Sequence, residues 1–154
     1  MPTVEMIQGL EHLVSSAPTI QGRCYAGLLV AAVHCSCRGS DIQRSKEVVF
    51  HHETVTGLGR FKGVKAWKRW SFPITSYGEV PWVTAWNEAL TVANLPGVDF
   101  ILNGMNNTMD KWKPEPARYG DLNIAFRALL MLPPIGLSAS DAMLYTVHGL
   151  KHLR

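Results

Sequence analysis

Acidic residues are missing from the whole stretch between Glu53 and Glu79, although the chain carries twelve of them elsewhere. Cysteine is scarce as well. Cys24, Cys35 and Cys37 are an odd number, far below the density of a secreted disulfide scaffold, which excludes that class and points to a reducing, intracellular setting, cytoplasm or nucleus. No apolar block follows a basic start in the first twenty residues, where Glu5 and Glu11 stand, so a secretory signal is not expected. The longest apolar run, Tyr25 to Val33, is about half of what a bilayer crossing requires. It reads as a buried helix, and no membrane partner is expected. Charged residues make up 18% of the chain against 47% hydrophobic ones, which excludes a disordered interaction arm. Internal repeats and low-complexity tracts are absent, and no linker divides the chain.

What is present suits one domain over residues 1–154, long enough to bury a core without metal or disulfide. Val4, Ile7, Leu10 and Leu13 or Val14 recur at helical spacing and predict an amphipathic first helix that Ala17-Pro18 ends. A second helix, Gln21 to His34, is apolar on most of its circumference and belongs in the core. From Glu47 the pattern turns β-branched and aromatic. Val48 to Phe50, Thr54 to Thr56 and Trp70 to Phe72, broken by Gly57, Gly59 and Gly63, predict three short antiparallel strands. Trp82 to Leu95 reads as a helix with Val83, Trp86, Leu90 and Val92 or Ala93 inward. Residues 96–116 read as a long connection with at most one strand, Phe100 to Leu102. A helix over Arg118 to Leu132 stops at Pro133-Pro134. The last segment opens a helix at Ser138, with Met143, Val147 and Leu150 on one side. The class is α+β, mainly helical with a small three-stranded antiparallel sheet.

The acid-free stretch holds Arg60, Lys62, Lys65, Lys68 and Arg69, a local charge larger than the +3 of the whole chain. That is where a polyanion would dock.

Three places, in order, resemble the catalytic domain of the tyrosine recombinases, or phage integrases. Arg38-Gly39-Ser40-Asp41 fits an arginine at a helix end with an acid three residues on. Lys62 and Lys65, with Lys62 preferred, precede the strand Arg69-Trp70-Ser71-Phe72-Pro73, as the family's lysine precedes a strand ending in proline. His148-Gly149-Leu150-Lys151-His152 resembles the histidine, any residue, leucine, arginine, histidine box in four of five positions, with Lys151 standing for the arginine. The resemblance covers about residues 20–154 and implies the DNA breaking-rejoining catalytic core of a metal-independent strand transferase.

In that reaction a tyrosine attacks a DNA phosphate and fixed cations stabilise the charge of the transition state, with no metal or nucleotide cofactor. By resemblance Arg38 clamps the phosphate, Asp41 orients or buttresses Arg38, Lys62 or Lys65 protonates the leaving oxygen, and His148 assists proton transfer or phosphate binding. Lys151 presents a point charge where the family has a bidentate fork. The family's nucleophile lies beyond the box, whereas Tyr25, Tyr77, Tyr119 and Tyr145 all precede it. The resemblance therefore implies a C-terminally truncated domain for DNA recombination or integration that does not cleave as it stands, leaves apolar surface bare, and assembles on DNA as a homo-oligomer where active. It requires Arg38 and His148 on one surface.

Two other classes compete. The basic aromatic hairpin 60–70 serves equally in a non-catalytic module for polyanions or an acidic protein partner. His148 and His152, one helical turn apart, or His34 with Cys35 and Cys37, would serve a metal-dependent hydrolase, but no third ligand at zinc spacing is evident.

Overall fold

The computed structural model describes residues 2–61, 63 and 65–152. Thr3 caps the first helix, α1 (Val4–Ser16), by accepting the Met6 N–H at 3.2 Å, and Thr19 caps the second, α2 (Ile20–Cys35), by accepting that of Gly22 at 3.1 Å. Pro18 follows the end of α1 and separates the two. From Gln21 to Val33 nearly every residue of α2 is buried, Arg23 excepted, as its all-round apolarity predicts. Gly27 is there for space, because the ring of Trp86 lies where a Cβ would stand. α2 ends at Ser36, whose left-handed backbone (φ 54°) turns the chain while Cys37 N–H donates to Ala32 O at 3.0 Å.

A short helix, α3 (Gly39–Gln43), then leads into the meander β1 (Ser45–Phe50), β2 (Thr54–Gly59) and β3 (Lys68–Pro73), antiparallel in that order. The three strands follow the sequence reading. Val55 and Phe72 are cross-strand partners, Gly57 faces Trp70 and leaves room for its ring, and the four sit on the buried face. Trp70 and Phe72 stack at 6.1 Å, and Phe72 meets Trp82 of α4 (Trp82–Ala93) at 5.6 Å. In α4, Val83 and Trp86 are buried as expected, while Val92 is 71% exposed and Ala93 takes the inward place.

Trp70 Nε1–H donates to Ser45 Oγ at 2.8 Å, and Ser45 donates in turn to Asp41 O at 3.2 Å, all out of water. Ser45→Ala strands the indole N–H, and an expected loss of about 2 kcal/mol is read from the urea midpoint.

Two expectations are corrected. The connection after α4 carries no strand at Phe100 to Leu102 but a hairpin, β4 (Asn103–Met105) with β5 (Trp112–Pro116). Side chains shape it: Asn106 Oδ1 accepts the Asp110 and Lys111 N–H groups at 3.0 and 3.1 Å, and Asn103 Nδ2 donates to Lys113 O at 2.9 Å. After α5 (Tyr119–Leu130), the last segment is not one helix. Ser138 caps only α6 (Ala139–Ala142), and a 3-10 turn spans Val147–His152. Val147 and Leu150 are buried, but Met143 is 61% exposed. Arg127 Nε donates to Tyr145 O at 3.0 Å and Asn123 Oδ1 accepts Val147 N–H at 2.8 Å, so α5 holds backbone groups that a continuous helix would have paired internally. Three residues per turn then put Val147 and Leu150 on one side.

The buried side chains form one cluster. Among the described residues the architecture is α+β: six helices, a three-stranded antiparallel sheet and a two-stranded hairpin, with the 3-10 turn. Among the described residues no helix is long and apolar enough to cross a membrane.

Candidate functional site

A cleft of about 770 Å³ opens where α3, the start of α5 and the 3-10 turn meet, and Arg38, Ser40, Gln43, Arg44, Arg118 and His148 line it. The turn at Ser36 aims the chain toward it. Arg38 is the N-cap residue of α3, and its main-chain N–H donates to Asp41 Oδ2 at 3.3 Å. Asp41 is buried, and its other oxygen takes Arg44 Nη2 at 3.5 Å. Asp41 therefore meets Arg38 only at the main chain, and its ion pair goes to Arg44.

Gly39 permits the close approach that makes the cleft. A Cβ there would stand 2.6 Å from Val147 Cγ1 and 3.4 Å from Leu122 Cδ1, so the bare glycine lets α3 rest on both the 3-10 turn and α5. At the other end of α3, buried Gln43 works as a staple. Its Nε2 donates to Leu102 O at 2.6 Å and Ala117 O at 3.2 Å, and its Oε1 accepts Leu102 N–H at 2.9 Å. The residue after Ala117 is Arg118, N-cap of α5, whose N–H donates to Asp121 Oδ2 at 2.8 Å.

Arg38 and His148, 110 positions apart in the chain, thus share one cleft. Lys65 and Lys151 are not among its described lining residues; Lys65 is exposed and Lys151 half-buried. Lys62 lies outside the described residues. Arg60, Lys65, Lys68 and Arg69 are all exposed around the β2–β3 connection. That connection is rooted beside the cleft, since Arg60 N–H donates to Arg44 O at 3.0 Å and a Cβ on Gly59 would meet Asp41 O at 3.0 Å. Lys46 Nζ lies 4.4 Å and the Arg60 guanidinium 5.3 Å from the ring centroid of half-buried Trp67, so this tryptophan gathers two cations. Trp70, by contrast, is a packing residue.

Sequence reasoning passed over Gln43, Arg44 and Arg118, and set Tyr119 aside on chain order, yet all four line the cleft. One signal was available. Arg38-Gly39-Ser40-Asp41 and Arg118-Tyr119-Gly120-Asp121 are the same arginine, two residues, aspartate pattern, and each begins a helix with the aspartate accepting the arginine's N–H. Tyr25 has no access: its hydroxyl donates to Asn103 O at 2.7 Å in the core, and burial, then Asp121 and Cys24, raise its pKa.

Of the metal-ligand alternatives, the set at the end of α2 has other partners. His34 pairs with buried Glu11 at 3.3 Å. Cys37 Sγ donates to Cys35 O at 3.4 Å, and burial pushes the Cys24 thiol up to about 12. Among the described residues no three His, Cys, Asp or Glu side chains gather to hold a metal ion. No protein-family model, curated protein or solved structure matches the chain.

Proposed function

We propose that this is a DNA-binding domain of the tyrosine-recombinase kind, whose cleft holds a backbone phosphodiester of duplex DNA on the Arg38 guanidinium with His148 beside it. The observation that carries the reading is that these two residues, far apart in sequence, line one cleft whose other charged groups are mainly arginines. A guanidinium matches the two non-bridging oxygens of a phosphodiester, and a partly enclosed site makes that pairing stronger than it is in open water. The exposed cations of the basic hairpin, rooted at the edge of the cleft, would follow the flanking phosphates and add salt-sensitive affinity. In the family that Arg38, His148 and the hairpin resemble, such a site serves strand cleavage and rejoining.

A second reading has its own support. Lys65 does not line the cleft, so the hairpin could act alone as a polyanion-binding module. Anisotropy titrations of a labelled duplex at several salt concentrations separate the two. Arg38→Ala is expected to weaken binding about tenfold, the loss of one charge-assisted pair. Neutralising Lys65, Lys68 and Arg69 together should lower the salt slope by roughly two to three, about 0.9 per phosphate contact. If Arg38→Ala binds as wild type while the hairpin variant loses all affinity, the module reading replaces the recombinase one.

A further inference from the structure

We propose that Cys35 and Cys37, at the end of α2, form a dithiol site for small-molecule disulfides of the glutathione class, in which Cys37 attacks, Cys35 resolves, and a Cys35–Cys37 disulfide is left behind. Neither cysteine lines the cleft, and the site needs no nucleic acid.

The first support is the backbone. Ser36 alone separates the two cysteines, and its φ of 54° and ψ of 35° give the chain left-handed helical curvature. Such curvature sets the Cα atoms of residues i and i+2 about 5.4 Å apart, whichever its hand. That falls within the roughly 4.4–6.8 Å that a disulfide spans. The turn is held by the main chain, since Ser36 N–H donates to Val33 O and Cys37 N–H to Ala32 O, both at 3.0 Å. Closing the S–S bond therefore calls for side-chain rotation and leaves α2 wound.

The second support is the setting of the sulfurs. Both side chains are half-buried, packed on the core yet open to a small reactant. Protonated, Cys37 Sγ donates to Cys35 O at 3.4 Å. Ionised, it accepts from the Cys35 thiol, which holds the Cys37 pKa below that of an ordinary thiol although burial and Asp41 oppose the shift. The same hydrogen bond, and then burial, keep Cys35 protonated. One sulfur is thus poised to attack while the other waits beside it. Cys24 is the contrast: it is fully buried, and burial pushes its pKa up to about 12.

The exchange balances between the two reactants. The Cys37 thiolate attacks one sulfur of the incoming disulfide, so that a bond to Cys37 forms as the old S–S bond breaks and one small thiolate leaves. Cys35 then gives up its proton, attacks the Cys37 sulfur and expels the second thiolate. Two electrons pass from the protein to the small disulfide, and the protons of the two protein thiols reach the two released thiols by way of water. The second step is intramolecular, so the mixed disulfide should be short-lived.

The test places the full chain in glutathione buffers from reduced to oxidised, stops exchange with acid, and reads intact mass and remaining thiols. Trypsin releases Cys24 to Arg38 as one peptide, whose fragmentation locates the bond. Wild-type protein is expected to lose two of its three thiols with no glutathione attached, to keep Cys24 as a thiol, and to recover both in excess reduced glutathione. Cys35→Ser should stop at one glutathione on Cys37. Cys37→Ser should react about tenfold more slowly than wild type or slower, because the attacking thiolate is gone. The wild-type readings decide the disulfide by themselves should a serine variant not fold. Wild-type protein that keeps all three thiols in oxidised glutathione, holds a stable glutathione adduct, or links between molecules overturns the proposal. Equal rates for the two serine variants overturn the roles given to Cys37 and Cys35.

Discussion

Glu11→Ala is expected to destabilise the protein by about 3 kcal/mol, because several hydrogen bonds to a buried acidic side chain are lost together, and so to lower its melting temperature by roughly 10 °C. Glu11 sits in α1 with no solvent exposure. Its carboxylate accepts the Tyr77 N–H at 2.8 and 3.0 Å and the Gly78 N–H at 2.9 Å, and its Oε2 lies 3.3 Å from His34 Nε2. One side chain thus fixes the segment between β3 and α4 and also the last turn of α2. The aromatic rings of Trp82, Tyr77 and Phe72 pack around His34, with centroids at 5.1, 5.2 and 5.9 Å. Alanine leaves two backbone donors and His34 Nε2 without their acceptor. Glu11→Gln keeps one acceptor oxygen in place and should cost about 1–2 kcal/mol. Thermal melts of the two variants check the order, and an unchanged melting temperature for Glu11→Ala would contradict the assignment.

That anchor matters to the cleft because α2 delivers the chain to Arg38. His34 is four residues upstream, and between them lies only the turn at Ser36. Nothing in the sequence announces Glu11 as buried, since it lies on a helix whose apolar positions account for themselves. The three-stranded meander and the helices α1, α2, α4 and α5 were legible because their hydrophobic spacing is carried by many residues each. The β4–β5 hairpin was not. Asn103-Gly104-Met105 has no alternation to read, and β5 includes Pro114 and Pro116, residues tolerated only because each strand has a free edge. The last segment misled for a related reason: Val147 and Leu150 are three apart, a spacing shared by the α-helix and the 3-10 turn.

Half of the site was legible in the same sense. Arg38 and His148 were found because their order and company resemble a family, although no local pattern says that they meet. Arg118 was read only as the start of a helix, since nothing in the loop before it, residues 96–116, shows that the Gln43 staple brings it to α3. Gln43 itself is a polar residue in a five-residue helix, with nothing in its neighbours to mark it as buried.

Gly39→Val is expected to destroy the cleft at a cost of about 3 kcal/mol, the upper range for overpacking a filled site. The Cβ alone would overlap Val147 Cγ1, and the branched methyls add pressure on Leu122, where even the Cβ has only 3.4 Å. Leu122 is fully buried in α5 and cannot retreat, whereas Val147 begins the 3-10 turn. The turn must give way, and His148, next to Val147, moves with it. Affinity for duplex DNA should then fall at least as far as in Arg38→Ala, about tenfold, although every charged residue remains. Gly39→Ala, which lacks the branched methyls, should lie between the valine variant and wild type in both melting temperature and affinity. Wild-type DNA binding by a folded Gly39→Val protein would show that His148 and Arg38 need not meet for binding, and would place the interaction on the basic hairpin instead.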